Sequence, residues 1–222
     1  PERLATSIFL NKVQRMDVCF ITVDEAHCIS QWGYDFRPHY LRIAEIRKFF
    51  PNVPVLALTA TATPAVVEDI KEKLAFREGS ETFKMSFARP NLHYIVRKTE
   101  DKVHELLHIL RSVEGCAIVY TRSRRATREV AELLESEGIG ALYYHAGLTS
   151  LDKDARQALW QRGDKRVMVA TNAFGMGIDK SDVRLVIHMN VPDSIEAYFQ
   201  EAGRGGRDGN VAYAVLLHDN DD

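Results

Sequence analysis

The chain has 222 residues, 45% of them hydrophobic and 27% charged, with a formal net charge of −2. That length suits one large domain or two small lobes, and the near-neutral balance means that any nucleic-acid contact must rest on local patches. No run of about 18 apolar residues marks a membrane span. The opening Pro1–Glu2–Arg3–Leu4 is neither a signal peptide nor an initiator methionine. The three cysteines, Cys19, Cys28 and Cys116, are odd in number and too widely spaced for a thiolate metal site, which fits reduced intracellular thiols.

In chain order, Val18–Asp24 reads as a strand and Tyr40–Phe50 as a helix, with Val55–Thr59 a second strand. Thr63–Pro64 opens a helix that runs to about Leu74, with Thr63 as its cap and Pro64 in the first turn. Thr82–Ser86 reads as a short strand, and Phe87–Asn91 breaks the pattern like a linker. Strands then fall at Tyr94–Arg97, Cys116–Tyr120, Ala141–Tyr144, Arg166–Ala170, Leu185–Met189 and Val211–Leu217. Helices fall at Lys102–Arg111, Arg124–Glu137, Leu151–Arg162 and Ile195–Gly203, with Gly138 placed as a helix-ending glycine. Apolar strands alternating with helices predict an α/β fold with a mainly parallel sheet. The second half reads as a complete lobe, the first as a short one.

Asp24-Glu25-Ala26-His27 closes the first apolar strand. Two adjacent carboxylates there are costly as core and useful as chemistry: one can hold Mg²⁺ on a nucleotide's phosphates, the other can orient an attacking water. The loop that follows carries Gln31, Trp32, Phe36 and Arg37, broken by Gly33 and ended by Pro38. Exposed aromatics stack on unpaired bases, and arginine adds phosphate or cation–π contact. Thr59-Ala60-Thr61 offers hydroxyls that can relay hydrogen bonds from a nucleotide site. Thr121, Arg122, His145, Thr171 and Asn172 follow strands and face one sheet edge. Gly177 and Asp179 suit nucleotide contact in the loop after Ala170. The last element is Gln200-Glu201-Ala202-Gly203-Arg204-Gly205-Gly206-Arg207, where glycines let two arginines approach phosphate closely.

These segments, in this order and across nearly the whole chain, resemble the RecQ family of ATP-dependent DNA helicases of superfamily 2. The Gln-Trp-Gly-x-Asp-Phe-Arg-Pro loop is the most family-specific part. The resemblance implies two RecA-like lobes, at residues 1–88 and 89–222, the first incomplete. It implies ATP and Mg²⁺ as cofactors, with Asp24 binding the metal and Glu25 as the catalytic carboxylate. His27 would couple to the Thr59–Thr61 segment, and Gln200, Arg204 and Arg207 would face the nucleotide, Arg207 as the arginine finger. Gln31, Trp32, Phe36 and Arg37 would sense single-stranded DNA, with Thr121, Arg122, His145, Thr171 and Asn172 as further DNA contacts. The implied activity is 3′-to-5′ unwinding in DNA repair and recombination, on single-stranded and partially duplex DNA. The implied setting is the bacterial cytoplasm and nucleoid, with a single-stranded-DNA-binding protein or other repair proteins as possible partners and no membrane. Tyr34, Gly205 and Ala88 depart from the family pattern.

No Gly-x-x-x-x-Gly-Lys-Ser/Thr phosphate loop occurs in the chain. The resemblance therefore implies that the chain starts partway through the first lobe and ends before a zinc subdomain and winged helix. It follows that residues 1–88 should be less stable than residues 92–222, and that the chain alone should not hydrolyse ATP. Two other readings stand beside the motor core: a non-catalytic DNA-binding module derived from a helicase, and an RNA-acting DEAH-box enzyme, against which the Trp32–Arg37 loop argues.

Overall fold

The computed structural model describes residues 1–33, 35–175 and 179–220. It divides into two compact units, Pro1–Ser86 and Phe87–Asp222.

In the first unit, helix α1 (Ser7–Val13) is capped by the Thr6 hydroxyl, which accepts from Phe9 N. It buries one residue, Val13, so its sequence carries no periodic signal. Strands β1 (Ile21–Val23) and β2 (Val55–Ala57) pair in parallel, Ile21 opposite Val55 and Val23 opposite Ala57. Both are shorter than their apolar runs. The segment Pro38–Lys48 is a 3-10 helix rather than an α-helix. Its core-facing residues Tyr40, Ile43 and Ile46 recur every third position, which is the 3-10 period. Helix α2 (Pro64–Lys73) starts at Thr63, whose hydroxyl accepts from Val66 N.

Ile21, Val23, Ile29, Val66, Ile70 and Leu74 form the core of this unit, on one face of the two strands. On the opposite face Thr22 and Leu56 are exposed, Leu56 by 48%. Parallel strands are ordinarily covered on both faces. Thr82–Ser86 is not a strand: no described strand pairs with it, and Phe83 and Met85 stand 85% and 86% exposed.

Among the described residues the second unit alternates strand and helix except between β6 and β7: β3 (Leu92–Lys98), α3 (Lys102–Ser112), β4 (Cys116–Tyr120), α4 (Arg124–Ser136), β5 (Ala141–Tyr144), α5 (Ser150–Arg162), β6 (Val167–Ala170), β7 (Val183–His188), α6 (Ile195–Ala202) and β8 (Ala212–His218). The six strands form one all-parallel sheet in the order β3-β8-β7-β4-β6-β5. Every strand and helix expected from the sequence here lies within two residues of its observed bounds. The cause is visible in the packing. Ala117 and Val119 of β4 face α3 and α4, with Leu106, Leu110 and Leu134, whereas Ile118 and Tyr120 face Trp160 of α5 and Phe174. Both faces of β4 are covered, so it reads as a continuous apolar run. Trp160 is fully buried and donates its Nε1–H to Ala117 O at 3.2 Å. Asp101, Ser123, Thr149 and Ser194 each cap a helix by accepting from the backbone N–H three residues on.

Because the strands are parallel, β4, β5 and β6 end together at Thr121, His145 and Thr171. No helix among the described residues is long and apolar enough to cross a membrane.

Candidate functional site

In the first unit the site begins where β1 ends. Asp24 Oδ1 accepts from Glu25 N at 2.8 Å, and its carboxylate lies exposed at the strand tip. Carboxylate oxygen in water is the donor that Mg²⁺ takes, alongside waters and substrate phosphates, so Asp24 fits that ion. Glu25 sits at φ +49°, a left-handed conformation uncommon outside glycine and concentrated at functional turns. The turn is held by Ala26 N donating to Leu58 O at 2.9 Å, and it leaves Glu25 Oε2 3.5 Å from His27 Nδ1.

His27 is buried, and its Nδ1 lies 3.0 Å from the Thr59 hydroxyl. Thr59 Oγ1 in turn donates to Thr61 O at 3.3 Å. A hydroxyl that donates onward accepts from the imidazole, so Nδ1 carries the hydrogen and Nε2 is left as the acceptor. Burial lowers the pKa of His27 below its ordinary 6.5, with Glu25 opposing, which keeps the ring neutral at pH 7.

The aromatic loop leaves directly from this histidine. Arg37 N donates to Cys28 O at 2.8 Å, which closes the loop at its base. A Cβ at Gly33 would meet His27 O at 2.7 Å, so the loop can fold back this closely only with glycine there. Trp32 is 79% exposed and Gln31 is exposed, while Phe36 and Arg37 are half-buried. Arg37 donates from Nη2 and Nε to Asp35 Oδ2, at 2.6 and 3.1 Å. Burial, and after it the Asp35 charge, push the Cys28 thiol up to about 12. Tyr34 lies outside the described residues.

In the second unit the two arginines of the glycine-rich turn lie against the loop that follows β6. Arg204 Nη1 donates to Gly175 O at 2.6 Å, and Arg207 Nη1 donates to Asp179 Oδ1 at 3.1 Å. Gln200 lies on α6 just before this turn, and Gly177 lies outside the described residues. The candidates on the sheet edge divide. Thr121 and Thr171 are buried, and their hydroxyls bond locally, to Ser123 O and from Ala173 N. They shape their loops rather than face solvent. Asn172 and Arg122 are exposed, Arg122 donating from Nη2 to Val191 O at 3.4 Å. His145 stacks on Tyr143 with centroids 5.8 Å apart. Burial and then the nearby Arg124, Arg156 and Lys153 lower its pKa, so this corner holds a cationic cluster.

Three features were not visible in the sequence pattern. Arg89 donates to the carbonyls of Gly203, Gly205 and Gly206 at 3.0, 2.9 and 2.5 Å, and Asn91 Nδ2 donates to Gly206 O at 2.7 Å. The stretch that reads as a linker is therefore the clamp on the arginine turn. Buried His188 bonds Glu201 Oε2 at 2.9 Å beneath the same turn and stacks on Tyr120. Tyr120 donates its hydroxyl to Phe174 O at 2.9 Å, and burial raises its pKa.

Residues 1–70 match the DEAD/DEAH box helicase family, and residues 100–209 match the helicase conserved C-terminal domain. The chain is 42% identical over 220 residues to the ATP-dependent DNA helicase RecQ of Haemophilus influenzae, covering 99% of this chain and 35% of that relative. It is also 42% identical over 228 residues to the RecQ-like DNA helicase BLM of Xenopus laevis, covering 98% of this chain and 17% of that relative. The chain thus spans about a third or less of these relatives' length. Among solved structures, Dbp5 of S. cerevisiae bound to RNA and ADP BeF3 superposes with a TM-score of 0.71 at 21% identity, over 95% of this chain and 57% of that one. That likeness concerns the fold, which is of the RecA-like helicase kind. By its two helicase domains and its identity to relatives over nearly its entire length, the chain belongs to the RecQ family of helicases.

Proposed function

We propose that this chain is part of the motor core of an ATP-dependent DNA helicase that couples ATP hydrolysis to 3′-to-5′ movement on single-stranded DNA. In this reading Asp24 holds Mg²⁺, which would shield the phosphates' charge, and Glu25 orients the attacking water. Arg204 and Arg207, with Gln200, Gly177 and Asp179, serve the nucleotide. Gln31, Trp32, Phe36 and Arg37 read single-stranded DNA, with Arg122, His145 and Asn172 on the phosphate backbone and Thr121 and Thr171 shaping the loops that carry them. The carrying observation is the direct attachment of an exposed tryptophan loop to the histidine that touches Thr59 and Glu25. A base stacked on Trp32 pulls on a loop rooted at that histidine. The 1–88 and 89–222 division into lobes is supported by the break between compact units at Ser86 and Phe87.

DNA, single-stranded and partially duplex, is the partner this reading requires, and a single-stranded-DNA-binding protein is a natural companion on it. The 222-residue chain has no phosphate loop, so by itself it hydrolyses no ATP. The test uses the protein that carries this segment together with such a loop. Single-stranded DNA, and not RNA of the same sequence, should stimulate ATP turnover, and Glu25→Gln should abolish turnover while leaving DNA binding intact. Equal stimulation by RNA would favour an RNA-acting enzyme, and turnover by Glu25→Gln would remove the proposed role.

A further inference from the structure

We propose that His27, Cys28 and Asp35 form a binding site for a thiophilic divalent cation of the Zn²⁺ type, at the root of the Trp32 loop. This site is separate from the Mg²⁺ assigned to Asp24 and stands whether or not the helicase reading does. One donor atom from each of the three residues lies within 4.8 Å of the others. Cys28 Sγ is 3.6 Å from His27 Nε2 and 3.7 Å from Asp35 Oδ2. Zinc bonds of about 2.3 Å to sulfur and about 2.0–2.1 Å to nitrogen or oxygen put tetrahedral ligands about 3.5 Å apart. The sulfur is therefore already at ligand spacing from both other donors, and the His27 and Asp35 donors, within 4.8 Å of each other, need at most a modest approach.

The surroundings fit as well. The Thr59 hydroxyl on Nδ1 fixes the tautomer that leaves Nε2 as a lone-pair donor, filling the outer position that a carboxylate, carbonyl or water usually takes on a ligating histidine. Arg37 grips the Asp35 carboxylate through Nε and Nη2 and holds its orientation. His27 and Cys28 are buried, while Asp35 is half-exposed; water would supply the fourth ligand. Binding releases the Cys28 thiol proton to water; thiolate and carboxylate offset the doubly charged ion, and the Arg37 guanidinium on Asp35 Oδ2 leaves one positive charge beside it. A sulfur–imidazole–carboxylate set selects against Mg²⁺ and Ca²⁺. Once bound, the ion links the residue that touches Thr59 to the loop that carries Trp32, and opposes movement of that loop.

The test is Zn²⁺ titration of the 222-residue chain in competition with a chromophoric chelator, repeated with Co²⁺ to look for thiolate charge-transfer absorption. One equivalent of Zn²⁺ should bind. Cys28→Ala and Asp35→Asn should each weaken it by about tenfold or more, and Cys28→Ala should abolish the Co²⁺ thiolate band. Cys19→Ala and Cys116→Ala should bind as the parent does. Asp35→Asn changes a half-exposed side chain at constant volume, so its loss of zinc with an unchanged circular dichroism spectrum separates ligation from unfolding. Less than one equivalent bound by the parent, or parent-like affinity in either Cys28→Ala or Asp35→Asn, would overturn the proposal.

Discussion

Replacing Arg89 by methionine should destabilise the second unit by about 2–3 kcal/mol. Arg89 meets three carbonyls of the arginine turn, those of Gly203, Gly205 and Gly206. Gly206 O keeps two other donors, Asn91 Nδ2 at 2.7 Å and Gly209 N at 3.1 Å, so two carbonyls lose the bond that Arg89 supplies. Hydrogen bonds to a charged donor contribute about 1.5–3 kcal/mol each, and the half-exposed setting of Arg89 and Gly203 favours the lower figure. Gly206 sits at φ +59°, where a Cβ would lie 2.6 Å from Asn91 Nδ2, so the backbone there is shaped to the clamp. The chain has two tryptophans, and in a Trp32→Phe background the remaining Trp160, fully buried, reports unfolding of the second unit by its fluorescence. With a urea slope of about 2 kcal/mol/M the midpoint should fall by about 1–1.5 M. Arg89→Lys keeps the charge but not the fork, and should recover roughly half of the loss. An unchanged midpoint in Arg89→Met would refute the clamp.

Native-state hydrogen exchange should find the first unit less protected than the second. Its sheet has two three-residue strands covered on one face, against a six-stranded sheet whose inner strands β8, β7, β4 and β6 are largely buried; equal protection would contradict this. The pKa of His27 is lowered by folding, so the unfolded chain binds its proton more readily. Its contribution to stability is complete above the ordinary 6.5 and is lost as pH falls from there through the lower folded value, with Glu25, Asp35 and Asp24 moderating the loss and Arg37 adding to it. Urea midpoints of the first unit should therefore drop below pH 6.5, and this component should vanish in His27→Gln. A pH dependence that survives His27→Gln would assign it to another group. Glu25→Gly should cost less backbone energy than Glu25→Ala, because the φ of +49° strains alanine and not glycine; thermal denaturation of the two variants ranks them, and a more stable alanine variant would show that Glu25 is not strained.

The second unit was legible because every signal there is local. Each helix opens with a Ser, Thr or Asp cap, and β4, β5 and β6 are unbroken apolar runs. The first unit was less legible because its signals are weaker than its context. The alternation at Thr82–Ser86 looks like a strand, yet no described strand pairs with it. The Tyr40–Ile43–Ile46 spacing fits a three-residue turn as well as an α-helix, and packing decides for the former. Within the candidate site, the carboxylates at the strand tip and the exposed Trp32 follow from local pattern. Arg89 does not, since its carbonyl partners lie 114 to 117 residues away. Thr121 and Thr171 show the reverse case. They occupy the sheet edge as their positions demand, but burial turns their hydroxyls into the loop backbone.

The most direct test of the central claim is single-stranded DNA binding by this chain, measured by fluorescence anisotropy over a salt series for the parent, Trp32→Ala and Arg207→Ala. A stacked base is worth about 1–3 kcal/mol, so Trp32→Ala should weaken binding about tenfold or more with the salt slope unchanged. Arg207→Ala, assigned to the nucleotide, should bind as the parent does. Parent-like binding by Trp32→Ala, or a reduced salt slope in Arg207→Ala, would contradict the account.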